Sequence, residues 1–395
     1  MEKKIIYVSL VGDNLNKGHI NLLNTAKKYG KIIVGLMTDS ACVKYTSLPH
    51  FSYEHRKNFL LSNYKDISQI IPQEELDYSK NLKAIKPNFV IHGDDWKTGF
   101  QKKIRDSVIK LLKKWNGKLI EVPYTKKIAL SENRKQFLQS TTTTDIRKSK
   151  LKRLLESKKI VKILEAHNPI GGLIIDNLNL SSEKEYDEFD GVWCSSLTDS
   201  SSRGKPDNQS LDLTTRINWL SEMFEVTSKP LIFDADNGGS IDHIKFLIRR
   251  LEKLGVSAVI MEDKIGLKKN SLFQDQAKTK LDTMKGFGSK IKTAVKNRIS
   301  NDFLVIARLE SIIVGNGIDE AIRRANHYSR CGADMILVHR KKKDPKEIFK
   351  FAKKFKKSRY FKPMVAVPST YPSVKESELE KNGFKIVIYA NHLLR

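Results

Sequence analysis

The sequence is short of cysteine, short of acidic residues relative to basic ones, and without a long apolar run. Cys42, Cys194 and Cys331 stand far apart among 395 residues, and there is no CxxC pair. This argues against a disulfide framework or a cysteine-based zinc site and fits a reducing, cytoplasmic compartment. No stretch stays apolar for the ~20 residues a membrane-spanning helix needs, so no membrane association is expected. The N-terminus, MEKKIIYVSL, runs directly into GDN. It lacks a signal-peptide apolar region and cleavage site and reads as a first strand. Asp and Glu number 45 against 72 Lys and Arg, for a net charge of +27. Such a charge first suggests nucleic-acid binding. The lysines are scattered, however, in clusters such as Lys113-Lys114, Lys341–Lys343 and Lys353–Lys357, and no DNA- or RNA-binding motif accompanies them. Solvated helix faces account for them, with a positive potential that draws in small anionic substrates. No nucleic-acid partner is expected.

What is present is a chain long enough for two cores, 39% hydrophobic by residue count and of mean hydropathy −0.43. The N-terminal part opens as a βαβ unit: strand 5–11, loop 12–19, amphipathic helix Ile20–Tyr29, strand Lys31–Leu36. A Gly-His pair at a helix start suits an anion, because the free N–H groups and the helix dipole favour one there. Polar, β-branched Gln139–Thr144 reads as a junction, so domains are expected over 1–138 and 139–395. A basic helix Asp145–Ser157 and a strand Ile160–Glu165 follow. Apolar runs then recur at Gly171–Asp176, Gly191–Cys194, Pro230–Phe233, Val256–Met261, Phe303–Ala307, Met335–Val338, Met364–Val367 and Lys385–Tyr389. About eight strands alternating with helices imply a (β/α)₈ barrel.

The stretch LIFDADNGGS organises this second part. An apolar run enters Asp234-Ala235-Asp236, then Asn237-Gly238-Gly239. Carboxylates spaced i, i+2 at a strand end can converge on one hard cation. The neighbouring runs end in Glu262-Asp263-Lys264, Arg308-Leu309-Glu310 and His339. A β/α barrel builds its active site in this way, from the C-terminal ends of its strands.

Two resemblances sharpen this reading. Residues 1–135 resemble the cytidylyltransferase-like nucleotidyltransferases: Gly12–His19 is similar to GxFDxxHxGH, Tyr53–Lys57 to YEHRK, Gly93–Trp96 to GDDW, and Val122–Lys126 to the start of the last active-site loop. The resemblance implies a Rossmann-like fold, CTP as co-substrate with a phosphonate acceptor, and nucleotide contacts by Asp13, Gly18, His19, Arg56, Gly93 and Asp94. The chain departs from the pattern at the phosphate-handling positions. Asn16 stands for the first histidine, Thr46 for a lysine, and Ile128-Ala129-Leu130-Ser131 for a hydroxyl-rich loop. Each loss of such a donor commonly costs ~10²–10³-fold, so impaired catalysis, or a non-catalytic nucleotide-binding module, is expected.

From about residue 145, the chain resembles phosphoenolpyruvate mutase of the isocitrate lyase superfamily. Glu165–Asn168 is similar to its EAHN opening, Trp193–Leu197 to its WxSxL strand end, Asp234–Asp236 to its metal-binding DAD, and Glu262–Ser271 to its EDKxxxxxNS gating loop. The resemblance implies conversion of phosphoenolpyruvate to phosphonopyruvate in phosphonate biosynthesis. Mg²⁺ would be held by Asp234, Asp236 and Glu262. Asp207, Lys268, Asn270, Arg308 and His339 would be catalytic, and Trp193, Ser195, Ser196 and Leu197 would bind substrate, the two serines through backbone N–H groups. Phosphonopyruvate hydrolase, or a C–C lyase of the same superfamily, is the alternative. The lyases carry a gating-loop cysteine, and residues 263–280 have none. The family forms homo-oligomers by exchanging a last helix. The sequence given stops at Asn391–Arg395, before that helix, so the expectation is a homo-oligomer, with either a truncated sequence or an oligomer that closes differently.

Overall fold

A computed structural model describes residues 4–99, 101–123, 136–138, 140–181, 186–266, 268 and 279–394. The chain divides into two compact units, Met1–Leu138 with Asn179–Asp187, and Gln139–Leu178 with Glu188–Arg395.

The first unit is a parallel five-stranded sheet in the order β3-β2-β1-β4-β5. Its strands are β1 (Ile5–Leu10), β2 (Lys31–Met37), β3 (Ile67–Gln73), β4 (Phe89–Gly93) and β5 (Lys118–Val122). The order reverses between β1 and β4, and a crevice opens at such a switch point. The helix after β1 spans Lys17–Lys27, beginning three residues before the start expected from apolar spacing. The reason is a cap. The Asn16 side chain accepts from the His19 N–H at 3.1 Å, and the Asn16 N–H donates to His19 Nδ1 at 3.2 Å, so two otherwise unpaired donors are satisfied.

In the second unit, eight parallel strands close into a barrel in the order β10-β11-β12-β13-β14-β15-β6-β9. They are β6 (Val161–Glu165), β9 (Gly191–Cys194), β10 (Leu231–Asp234), β11 (Ala258–Glu262), β12 (Leu304–Leu309), β13 (Met335–Val338), β14 (Met364–Ala366) and β15 (Phe384–Tyr389). A separate ribbon pairs β7 (Asn179–Ser181) with β8 (Tyr186–Glu188). Every residue of β11 and β12 is buried, which is why those strands read as near-continuous apolar runs up to Glu262 and Arg308. The surrounding helices are amphipathic. Ile241–Leu254 turns Ile244, Leu247, Ile248 and Leu251 inward, and Gly255 stops it at φ +91°, a backbone state that favours glycine.

One expected strand is a helix. Gly171–Asp176 lies inside the helix Pro169–Asn177. Asn168 caps it by accepting from the Gly171 N–H at 2.8 Å, and Pro169 sits at its first turn, where a missing N–H costs nothing. A short apolar run has no period of its own to separate strand from helix; the cap decides.

Candidate active site

The C-terminal ends of the barrel strands surround a small cavity of about 50 Å³. Of the expected residues, Trp193, Ser195, Ser196, Leu197, Asp207, Asp234, Lys268, Arg308 and His339 line it. Strand β10 delivers Asp234, and the turn beyond holds Asp236 at φ +53°, a strained state that Asp tolerates better than most residues. The Asp236 N–H donates to Asp234 Oδ1 at 3.1 Å, so the two carboxylates are set by one local turn. A Cβ on Gly238 would lie 2.7 Å from the Met261 sulfur, so this turn packs tightly on β11.

The Lys268 ammonium reaches into these acids. It donates to Asp236 and to the Ser196 hydroxyl and lies 3.2 Å from Asp207 and 3.9 Å from Asp234. Ser196 also donates from Oγ to Asp234 at 3.0 Å, and its N–H faces the same carboxylate at 3.4 Å. That N–H, expected to serve a substrate carboxylate, is therefore shared with Asp234. On the other side, Arg308 donates to Glu310 at 2.6 Å and lies 3.6 Å from Glu262. Lys264 pairs with Glu310 at 3.0 Å. Asp263 accepts from the Glu310 N–H, Arg324 and Tyr328, which makes it a brace for the β12 end.

Similar burial gives opposite electrostatics at neighbouring acids. Burial raises the Asp234 pKa, but Lys268, Arg308 and Arg216 outweigh it and hold the carboxyl well below the usual range. At Glu262 burial wins against Arg308 and Lys264 and pushes the pKa up to about 7. Burial, with Arg308 nearby, pushes His339 down to about 3, so its imidazole is neutral at physiological pH.

Among the described residues, no three His, Cys, Asp or Glu side chains converge as a preformed metal cage. Mg²⁺ does not require one; it binds one or two carboxylates and keeps several waters. Both Glu262 carboxylate oxygens are buried without a hydrogen-bond partner. A buried carboxylate left this way suits a hard cation, so Asp234, Asp236 and Glu262 fit Mg²⁺ as a partly hydrated ion.

Asn270 lies outside the described residues, as does the loop 128–131. Sequence reasoning missed Arg216, Ser369 and Asn391. Arg216 is fully buried and donates to Asp199 at 2.9 Å, to the Asp234 carbonyl at 2.6 Å, to Asp236 at 3.4 Å and to the Cys194 carbonyl at 3.4 Å. It clamps the ends of β9 and β10 from a helix without any motif. Ser369 and Asn391 follow β14 and β15 and line the cavity. The rule that polar groups collect at strand ends would have found them.

In the first unit, Gly18, His19 and Gly93 line a crevice at the β1/β4 switch point, with Asn16, His92, Asp95 and Trp96. Burial pushes the pKa of both His19 and His92 down. Asp94 is not among the lining residues; it lies 3.8 Å from Lys97. Asp13 and Arg56 are not among the lining residues either. Asp13 accepts from the His50 and Phe51 N–H groups at 2.8 Å each. Arg56 is fully buried and donates to the carbonyls of Val11, Met37 and Phe51 and to Asp39. Its guanidinium is spent on backbone, as a buried cation requires.

Residues 151–395 match the family model for phosphoenolpyruvate phosphomutase, and residues 13–165 match the cytidylyltransferase-like model. The chain is 34% identical over 267 residues to a phosphoenolpyruvate phosphomutase of Tetrahymena pyriformis, covering 67% of this chain and 83% of that protein. It is 35% identical over 249 residues to a phosphonopyruvate hydrolase of a Variovorax species, covering 62% and 81%. Among solved structures, a phosphonopyruvate hydrolase in complex with oxalate and Mg²⁺ matches with a TM-score of 0.55 and 32% identity, over 63% of this chain and 82% of that one. The chain therefore belongs to the phosphoenolpyruvate phosphomutase family, as an enzyme of the phosphoenolpyruvate mutase/lyase superfamily with a cytidylyltransferase-like unit at its N-terminus.

Proposed function

We propose that the barrel interconverts phosphoenolpyruvate and phosphonopyruvate, a step of phosphonate biosynthesis. The observation that carries this reading is the cavity, where buried Asp234 of β10 meets the buried cations Lys268 and Arg308, with Glu262 of β11 3.6 Å from Arg308. From phosphoenolpyruvate, the bond between phosphorus and the C2 oxygen breaks and a bond from phosphorus to C3 forms, with pyruvate enolate between. Asp234 would hold Mg²⁺ directly, and Asp236 and Glu262 directly or through water. Bound there, Mg²⁺ would supply Lewis-acid stabilisation of the enolate charge. That a relative was solved with oxalate, which has the shape of the enolate, supports this division of the site.

The chain's own residues handle the phosphoryl group. It is metaphosphate-like in transit and needs fixed donors around it. Arg308 and Lys268 provide them, and burial strengthens each contact. Neutral His339 donates a hydrogen bond without adding charge. Asp207 keeps Lys268 aimed, and Asn270 shares the phosphoryl contact on the strength of the resemblance.

Phosphonopyruvate hydrolysis is the second reading, favoured by the 35% identity to the Variovorax enzyme. ³¹P NMR of the protein with phosphonopyruvate and Mg²⁺, beside an Asp234→Ala control, separates the two. Phosphoenolpyruvate formed by the wild type alone is the expected result. Inorganic phosphate instead points to the hydrolase, and an inert wild type removes both readings. For residues 1–138 the reading is a CTP-binding unit with impaired transfer, because Asn16 caps its helix and carries no charge. CMP transfer to a phosphonate at an ordinary enzymatic rate would overturn it.

A further inference from the structure

We infer that Ser369 and Asn391 bind the phosphoryl end of the substrate and keep that group from passing to water. The inference rests on the mutase reading and extends it to two residues outside its motifs. Their side chains line the cavity, and Ser369 Oγ and Asn391 Oδ1 are shut off from solvent without a hydrogen-bond partner. A buried polar atom in that state is costly unless something supplies the missing bond. Trp193 Nε1 and His339 Nδ1 share the condition at the same cavity, so four unpaired polar atoms border one space. Asn391 also holds φ +64°, outside the ordinary regions for a residue with a side chain. Unpaired groups together with backbone strain at one cavity point to a ligand.

The barrel order says which end of the ligand these residues meet. Among eight strands, β14 lies opposite β10, and β15 opposite β11. Ser369 thus stands across from Asp234, and Asn391 across from Glu262. A substrate whose carboxylate and C2 oxygen are held on the β10–β11 side extends its phosphoryl group toward β12–β15. There Arg308 supplies charge, and the two neutral residues supply donors on the far face. The Ser369 hydroxyl can donate directly. The Asn391 amide can turn its NH₂ to the cavity by rotating about its last side-chain bond, and only that end suits an anion. With both in place, the phosphoryl oxygens fill the positions where an attacking water would be held.

The test uses two probes with Mg²⁺ and the full chain. Oxalate copies the enolate alone. Sulfopyruvate adds a sulfonate shaped like the phosphoryl group but not transferable. Ser369→Ala and Asn391→Gly remove the side chains, the glycine keeping the positive φ accessible. By calorimetric titration each variant should bind sulfopyruvate about tenfold more weakly, in line with a lost hydrogen bond to a charged group, and oxalate within about twofold of wild type. Ser369→Thr, which keeps the hydroxyl, should restore sulfopyruvate binding. In ³¹P NMR turnover of phosphonopyruvate, Ser369→Ala and Asn391→Gly should release a larger share of inorganic phosphate. Equal losses for both probes, or no loss for sulfopyruvate in variants that melt like the wild type, would overturn the inference. A wild type that binds both probes yet turns over nothing would remove the mutase reading and leave the binding assignment to be judged by the titrations.

Discussion

His339 directly follows β13, beside Arg308, Glu310 and Lys264, and burial keeps it neutral down to about pH 3. In the unfolded chain it takes up a proton near pH 6.5. Between those values the unfolded state binds more protons, so stability rises with pH through that window and is flat above it with respect to this group. The expected outcome is that wild type loses up to about 1.4 kcal/mol per pH unit below 6.5 relative to His339→Asn. Urea melts of both proteins at pH 7.0, 6.0 and 5.0 check this; parallel curves would refute it. Glu262, raised to about 7, acts in the opposite sense, and the comparison of two proteins that both contain it isolates the histidine. The sequence named His339, Glu262 and Asp234 as site residues, but not which would be neutral. The charge state follows from burial and from which cations lie within reach, and both are tertiary facts.

The barrel elements were legible where burial is complete, as in β11 and β12, and misread at Gly171–Asp176, where a cap outweighed composition. Cooperation between elements was less visible still. Arg216, from the helix Leu213–Asn218, joins the ends of β9 and β10 by hydrogen bonds to Asp199, Asp236 and two carbonyls. Nothing in TTRINWL announces it. Removing one partner of such a buried pair leaves an uncompensated charge, at ~3–5 kcal/mol. Arg216→Met should therefore lower the melting temperature by on the order of 10 °C. Calorimetry checks it, and a variant melting within 2 °C of wild type would show that the clamp carries no weight. A weaker Mn²⁺ affinity, read by electron paramagnetic resonance, is expected as well, because Arg216 sets the Asp234–Asp236 turn.

At the scale of the molecule, the charge of +27 has no nucleic-acid motif to serve and no helix long and apolar enough to cross a membrane among the described residues. Its consequence is kinetic. A strongly positive protein speeds the encounter with small polyanions, and salt screens that field. For phosphonopyruvate, kcat/KM should fall several-fold between ~0.05 and ~0.5 M NaCl while kcat holds. A flat salt profile would show that the lysines only solvate the surface.

By itself, the sequence determined two α/β units, the alternation of strands and helices that implies a (β/α)₈ barrel, and the placing of DAD, EDK, Arg308 and His339 at strand ends, because these follow from local periodicity and from motifs at strand ends. Only the tertiary structure decided that the Arg56 guanidinium meets the carbonyls of Val11, Met37 and Phe51, that Arg216 clamps the Asp234–Asp236 turn, and that Ser369 and Asn391 face the cavity unpaired. Those assignments depend on which polar groups find partners after burial, and partners far apart in the chain meet only when the fold closes.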